Sequence, residues 1–152
     1  MQADAFVREQ EPQTNFGKRT TLEVRTRTAL RKSTFLRVAV QGVAGRTVTS
    51  AHLRLHVTSA SGTTPGARVH AITNCSWSET AVTWATQPAI DGAVLASAAN
   101  LPAGATADFD VTAAIAGDGV YCFALDGTGN GPVVYAARES ATPPALVVQV
   151  AP

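Results

Sequence analysis

Apolar and polar residues alternate with a period of two along most of this chain. Leu22 and Val24 alternate with Glu23 and Arg25; Leu36, Val38 and Val40 with Phe35, Arg37 and Ala39; Leu53, Leu55 and Val57 with His52, Arg54 and His56. Successive side chains of a strand point to opposite faces, so each run predicts a β-strand with one face buried. Shorter strands fit Ala5-Phe6-Val7, Arg68-Val69-His70-Ala71, Val94-Leu95-Ala96, Ala107-Asp108-Phe109, Tyr121-Cys122-Phe123-Ala124-Leu125, Val133-Val134-Tyr135 and Leu146-Val147-Val148. Between them stand turn segments rich in Gly, Pro, Asn, Asp and Ser: residues 42–45, Ser61-Gly62-Thr63-Thr64-Pro65-Gly66, Asp126-Gly127-Thr128-Gly129-Asn130-Gly131, and Thr142-Pro143-Pro144. Helix is confined to single turns, at 78–82 and at 111–116, the second opened by Asp110 as a candidate N-cap. About ten short strands so punctuated predict an all-β chain, an antiparallel β-sandwich of the jelly-roll kind.

Length and composition narrow this further. A chain of 152 residues holds one core and offers no second, and nothing in it repeats, so residues 1–152 are expected to form a single domain. With 45% apolar and 15% charged residues the chain is globular rather than disordered. No apolar run approaches the roughly 20 residues of a membrane-spanning helix. The opening Met1-Gln2-Ala3-Asp4 is not a charged segment followed by an apolar one, so we expect a module excised from a larger secreted protein. Cys75 and Cys122 are the only cysteines, too few for a Cys-only zinc site and spaced for no redox motif. A single disulfide in an oxidising, extracellular compartment is the expected arrangement. Two buried free thiols and a reactive thiol are the alternatives.

Charge is distributed unevenly. Eight of the twelve Lys and Arg residues precede position 38, against four acids there, so a formal net charge of +1 divides into +4 and −3. If the apolar alternants face inward, then Arg25, Arg37, Arg54, His56, Arg68 and His70 face outward, with Arg27 sharing the parity of Arg25. Should these strands be neighbours, one sheet face becomes a cationic platform whose guanidinium groups suit carboxylate or sulfate. The competing reading is a plain solvated face, with some cations paired to Glu23. Nucleic acid is not the expected partner: the isoelectric point is about 7.9 and the few aromatics are not interleaved with the basic residues. No amphipathic helix or polybasic run suggests a membrane surface.

Other candidate chemistry is thinner. Trp77 beside Ser76 and Cys75, and Trp84 near Val82, read as core anchors, whereas Phe35 and Tyr135 are the exposed-aromatic candidates by parity. His52 and His56, four apart on a strand, stand roughly 13 Å apart, too far for one ion. There is no nucleophile elbow, metal-ligand cluster or phosphate loop, so the chain is not expected to be an enzyme. No cofactor is expected beyond structural calcium, for which Asp4, Asp108 and Asp110 are the candidate ligands where the first strand meets a late one.

In order along the chain, Asp4-Ala5-Phe6-Val7, Asn15-Phe16-Gly17, Thr21-Leu22-Glu23-Val24-Arg25, Phe35-Leu36-Arg37-Val38 and Ala51-His52-Leu53-Arg54-Leu55 are followed by Trp77-Ser78-Glu79, Val82-Thr83-Trp84 and Gln87-Pro88. Asp110-Val111-Thr112, Arg138-Glu139-Ser140 and Pro144-Ala145-Leu146-Val147-Val148 complete the series. This series resembles the DNRLRE-type domain of secreted bacterial proteins, classed with carbohydrate-binding module family 96, over essentially the whole chain. The resemblance implies a jelly-roll module attached to larger extracellular proteins, with affinity for acidic polysaccharides, notably alginate, through Lys and Arg on one face. Residue by residue it implies Lys18 and Arg25, then Lys32 and Arg37. The chain departs from the pattern at Val38-Ala39, where Phe-Asp is common, at Phe6 and Phe16, where Tyr is common, and in its cysteine pair.

The combined expectation is a monomeric, non-catalytic module, tethered to other domains, that docks an anionic polysaccharide such as alginate or another uronate. Arg25, Arg27, Lys32, Arg37 and Arg68 are expected to meet the carboxylates, with Lys18 and Arg31 at the rim. The alternative is a structural or adhesive spacer in a cell-surface or secreted multidomain protein, with no soluble ligand and with its cations paired to acids or spread over both faces.

Overall fold

A computed structural model of the chain describes residues 1–62 and 65–152. In chain order its strands are β1 (Ala3–Arg8), β2 (Thr21–Val24), β3 (Lys32–Val40), β4 (Thr47–Ala60), β5 (Gly66–Ala71), β6 (Val94–Ala99), β7 (Thr106–Asp110), β8 (Gly119–Gly127), β9 (Val133–Ala136) and β10 (Ala145–Ala151). Every segment marked by the sequence pattern lies in one of them, except that Arg25 stands one residue past β2, bridged to Lys32. Of the expected turn at 61–66, Thr63 and Thr64 lie outside the described residues. The single turns appear as an Ala81 and Val82 backbone return to Ser78 and as a 3-10 turn over Thr112–Ala114. Asp110 serves the latter by accepting from the Thr112 amide at 3.0 Å.

The pairings are antiparallel and build two sheets. One has the order β1-β3-β8-β5-β6, the other β10-β4-β9-β2 with β7 also on β4. They pack face to face as a sandwich. Leu22, Val24, Leu36, Val38, Leu53, Leu55, Val69, Phe109, Phe123 and Leu125 fill the space between. Their fixed parity is what holds the register, because a slip of one residue would move each set to the opposite face.

The first sheet is covered a second time. On its outer face Ala3, Ala5, Val7, Phe35, Cys122 and Ala124 pack with Ile72, Trp77 and Val82 from the long segment between β5 and β6. This explains why β1 is buried from Ala3 to Val7 without alternation: a strand covered on both faces has no solvent side. Two expectations are overturned here. Phe35 is not exposed but lies under Trp77, ring centroids 6.1 Å apart. Tyr135 is in the inter-sheet core, because Val133-Val134-Tyr135 contains no polar position from which parity can be set. Trp77 is buried, as a core anchor should be.

A disulfide joins Cys75 to Cys122, Cα atoms 5.6 Å apart, and so ties the covering segment to β8. Arg37 adds a polar clamp: its Nη1 donates to the carbonyls of Trp77 (2.7 Å) and Cys75 (3.3 Å), and its guanidinium lies 5.0 Å from the Trp77 ring centroid. Asn15 holds the same segment from the other side. Its Nδ2 donates to Glu79 O and Val82 O at 2.9 and 2.8 Å. Gly17 permits that approach, since a Cβ there would sit 1.8 Å from Glu79 O.

Candidate functional site

The outward cations do not form one platform. Arg37 and Arg68 belong to β3 and β5 of the first sheet with β8 between them, whereas Arg54 lies on β4 of the second sheet and Arg25 just beyond β2. Strand alternation places a residue on an outer face but cannot say which sheet owns that face. The distribution therefore differs from the single basic face expected from parity.

Four of the candidate cations are committed within the protein. Arg31 donates through Nε and Nη2 to the two oxygens of Glu9 at 3.0 and 2.7 Å, and lies 5.6 Å from the Trp84 ring. The Arg31 guanidinium holds the Glu9 carboxyl below its usual range. Arg68 makes the same two-pronged contact with Asp126, at 3.2 and 2.6 Å, and Asp126 also meets His70 Nε2. Arg37 clamps the covering segment as described. Lys32, only 8% exposed, places its Nζ 2.6 Å from Glu23 Oε1.

That last pair changes the neighbourhood it sits in. Glu23 is the one acid on β2, and Lys32 cancels it. Around this edge strand of the second sheet remain Lys18 and Arg19 at its start and Arg25 and Arg27 at its end. None of the four makes an ion pair among the described residues. Lys18, Arg19 and Arg27 are exposed. Arg25 spends its Nε on Asn130 O at 2.7 Å, with no protein partner for its terminal nitrogens among the described residues. Arg19 was missed by the sequence reading because it stands in a loop, where period-two parity says nothing; its only signal was adjacency to Lys18. Phe16 supports it, with the guanidinium carbon 5.3 Å from the ring centroid and Phe6 stacked 4.7 Å behind.

The three candidate calcium ligands are not brought together. Asp108 and Asp110 are exposed on β7, where Asp108 bridges His52 and Arg54, and Asp110 accepts from the Thr112 amide and hydroxyl although Val111, not Asp110, is the N-cap of the turn. The His52 contact, then Arg54, holds the Asp108 carboxyl low, and Thr112 does the same for Asp110. Asp4 is on β1 in the other sheet. There it meets Glu79 from the covering segment and Glu139 from the chain after β9, with ligand-type oxygens of all three within 4.8 Å of one another. Sequence reasoning missed both glutamates because the residues lie 75 and 60 positions apart and converge only through the packing of the sheet edges.

The family model for carbohydrate-binding module family 96 matches residues 1–150. No curated protein matches the chain.

Proposed function

The chain belongs to carbohydrate-binding module family 96, and from that premise we propose that it is a non-catalytic module docking an anionic polysaccharide, alginate or another uronate. The observation that supports an anionic ligand is the strip along β2: four cations without an ion pair among the described residues, beside a strand whose one acid, Glu23, is paired with Lys32. Lys18, Arg19, Arg25 and Arg27 meet carboxylates of successive sugars in this reading. Lys32 keeps Glu23 from opposing them, while Arg31, Arg37 and Arg68 hold the scaffold. An exposed charge pair contributes under about 1 kcal/mol. Affinity therefore arises from several contacts together, is modest for one module, and falls with salt because a Debye length of about 10 Å at 0.1 M screens exposed charges. The family and the disulfide are consistent with an extracellular domain, and no helix is long and apolar enough to cross a membrane. We place the module outside the cell, as a monomer tethered to other domains.

A second reading, a structural or adhesive spacer, is favoured by the pairing of Arg31, Arg54 and Arg68 with acids on both sheets. Affinity electrophoresis in native gels separates the two. Gels containing alginate, pectin, heparin or a neutral glucan are run at low and moderate salt. The proposed function predicts retardation by an acidic polymer that weakens with salt and is absent with the neutral glucan. Retardation by none of them would leave the spacer.

A further inference from the structure

We propose that Asp4, Glu79 and Glu139 bind a divalent cation of the calcium class that locks the covering segment and the chain after β9 to β1. The three carboxylates face one guanidinium, that of Arg138. Its Nε and Nη2 lie 3.2 and 2.6 Å from the two oxygens of Glu79, and its Nη2 lies 3.5 Å from Glu139 Oε1. With all three carboxylates ionised, this leaves an excess of two negative charges, which one divalent cation neutralises. One oxygen from each carboxylate lies within 4.8 Å of the others, near enough for a single calcium ion at about 2.4 Å from each to reach all three.

The second observation is independent of the charge count. Asp4 is 1% exposed, and its Oδ2 accepts from the Arg138 amide at 2.7 Å. Its Oδ1, equally buried, has no hydrogen-bond partner among the described residues. A buried carboxylate oxygen without a partner costs about 1–3 kcal/mol or more, and a cation is the partner its surroundings suit. Burial, and then the charges of Glu139 and Glu79 against the bond from Arg138, push this carboxyl up to about 7. Glu79 behaves oppositely: burial raises it, but Arg138 and the Asp4 amide outweigh burial and hold it low. Glu139 is exposed, which leaves the site open on one side for the ion and its remaining waters.

The test needs no polysaccharide, so it stands apart from the carbohydrate reading. Calcium binding is measured by titration calorimetry on chelator-treated protein, and thermal unfolding is followed with and without millimolar CaCl2. Wild type is expected to bind one calcium and to melt several degrees higher with it, a gain that chelator reverses. Glu139→Gln, a near-isosteric change at an exposed position, is expected to weaken calcium binding by about tenfold or more. Asp4→Asn removes the buried charge and is expected to abolish the response. Wild type that neither binds calcium nor melts higher would overturn the proposal. So would a Glu139→Gln variant that responds like wild type, since the ion would then lie elsewhere. A melting temperature raised by Asp4→Asn alone, with no calcium effect on wild type, would assign the cluster to a shared proton instead.

Discussion

Gly127 stands where a Cβ would come within 2.8 Å of the backbone N, Cα and C of Arg25. The absence of a side chain there lets the β8–β9 turn press against the bridge between Arg25 and Lys32. Arg25 is thus carried on a fixed backbone, and with Arg27 it forms one end of the cationic strip. Replacing both by Ala is expected to remove most of the retardation in alginate gels while leaving the unfolding free energy, read from urea denaturation, within about 0.5 kcal/mol of wild type. Arg37 has the same side chain and a different duty. Its contacts to Trp77 and Cys75 carbonyls are charged hydrogen bonds on a partly buried clamp, each of a kind that contributes about 1.5–3 kcal/mol. Arg37→Ala is therefore expected to lower stability by about 2 kcal/mol, read from the same denaturation curves, with polysaccharide retardation preserved in the folded fraction. Nothing in the alternation along β3 distinguishes Arg37 from a solvated residue. The distinction comes from a segment forty residues later that folds over it.

That covering segment, between β5 and β6, is the element least like the rest. It lacks strand pairing and is held to the rest of the molecule by the disulfide, Arg37, Asn15 and single backbone bonds from Ile72 to Cys122 and from Ala85 to Pro12, while Asp91 braces it internally by accepting from the Thr73 amide and hydroxyl. A crosslink closing a loop of 47 residues stabilises a fold by about 4 kcal/mol on chain-entropy grounds. Reduction, or Cys75→Ser with Cys122→Ser, is expected to lower the melting temperature sharply. The exposure should begin at the covering segment, where limited proteolysis would cut within residues 72–93 before it cuts any strand. Cleavage first in β6 or β10 would mean that the segment is not held mainly by its crosslink. The cysteines announce this bond by their number. Its purpose, to close a second layer over a sheet already packed on its inner face, depends on where β8 runs.

At the scale of the whole molecule, acid stability follows from carboxylates held by partners that are local for Asp110 and distant along the chain for Glu9, Asp91 and Asp108. Thr73 holds Asp91 low, His52 and then Arg54 hold Asp108 low, Thr112 holds Asp110 low, and Arg31 holds Glu9 low. Each folded value lies below the unfolded one, so as pH falls the unfolded chain takes up protons first. These contributions are complete above the usual carboxylate range near 4 and disappear below it. Melting temperatures measured from pH 6 downward are expected to decline steeply only under about pH 4. Asp4, at about 7, has protonated before that decline begins. The same scale divides what was legible from what was not. Strand number, strand position and most of the inward set were written in the sequence, because a side-chain period of two is a local property of a strand with one face buried; Phe35 and Tyr135 escaped it, one covered by a distant segment and one in a run with no polar position. Cys75 and Cys122 were legible for a different reason, being the only pair available. Which sheet each strand joins was not local, and that assignment alone split the outward arginines between two faces. It also set Lys32 against Glu23, drew Asp4, Glu79 and Glu139 into one cluster, and left Lys18, Arg19, Arg25 and Arg27 without an ion pair among the described residues. Local sequence decides which way a side chain points relative to its own backbone; only the pairing of distant strands decides what it points at.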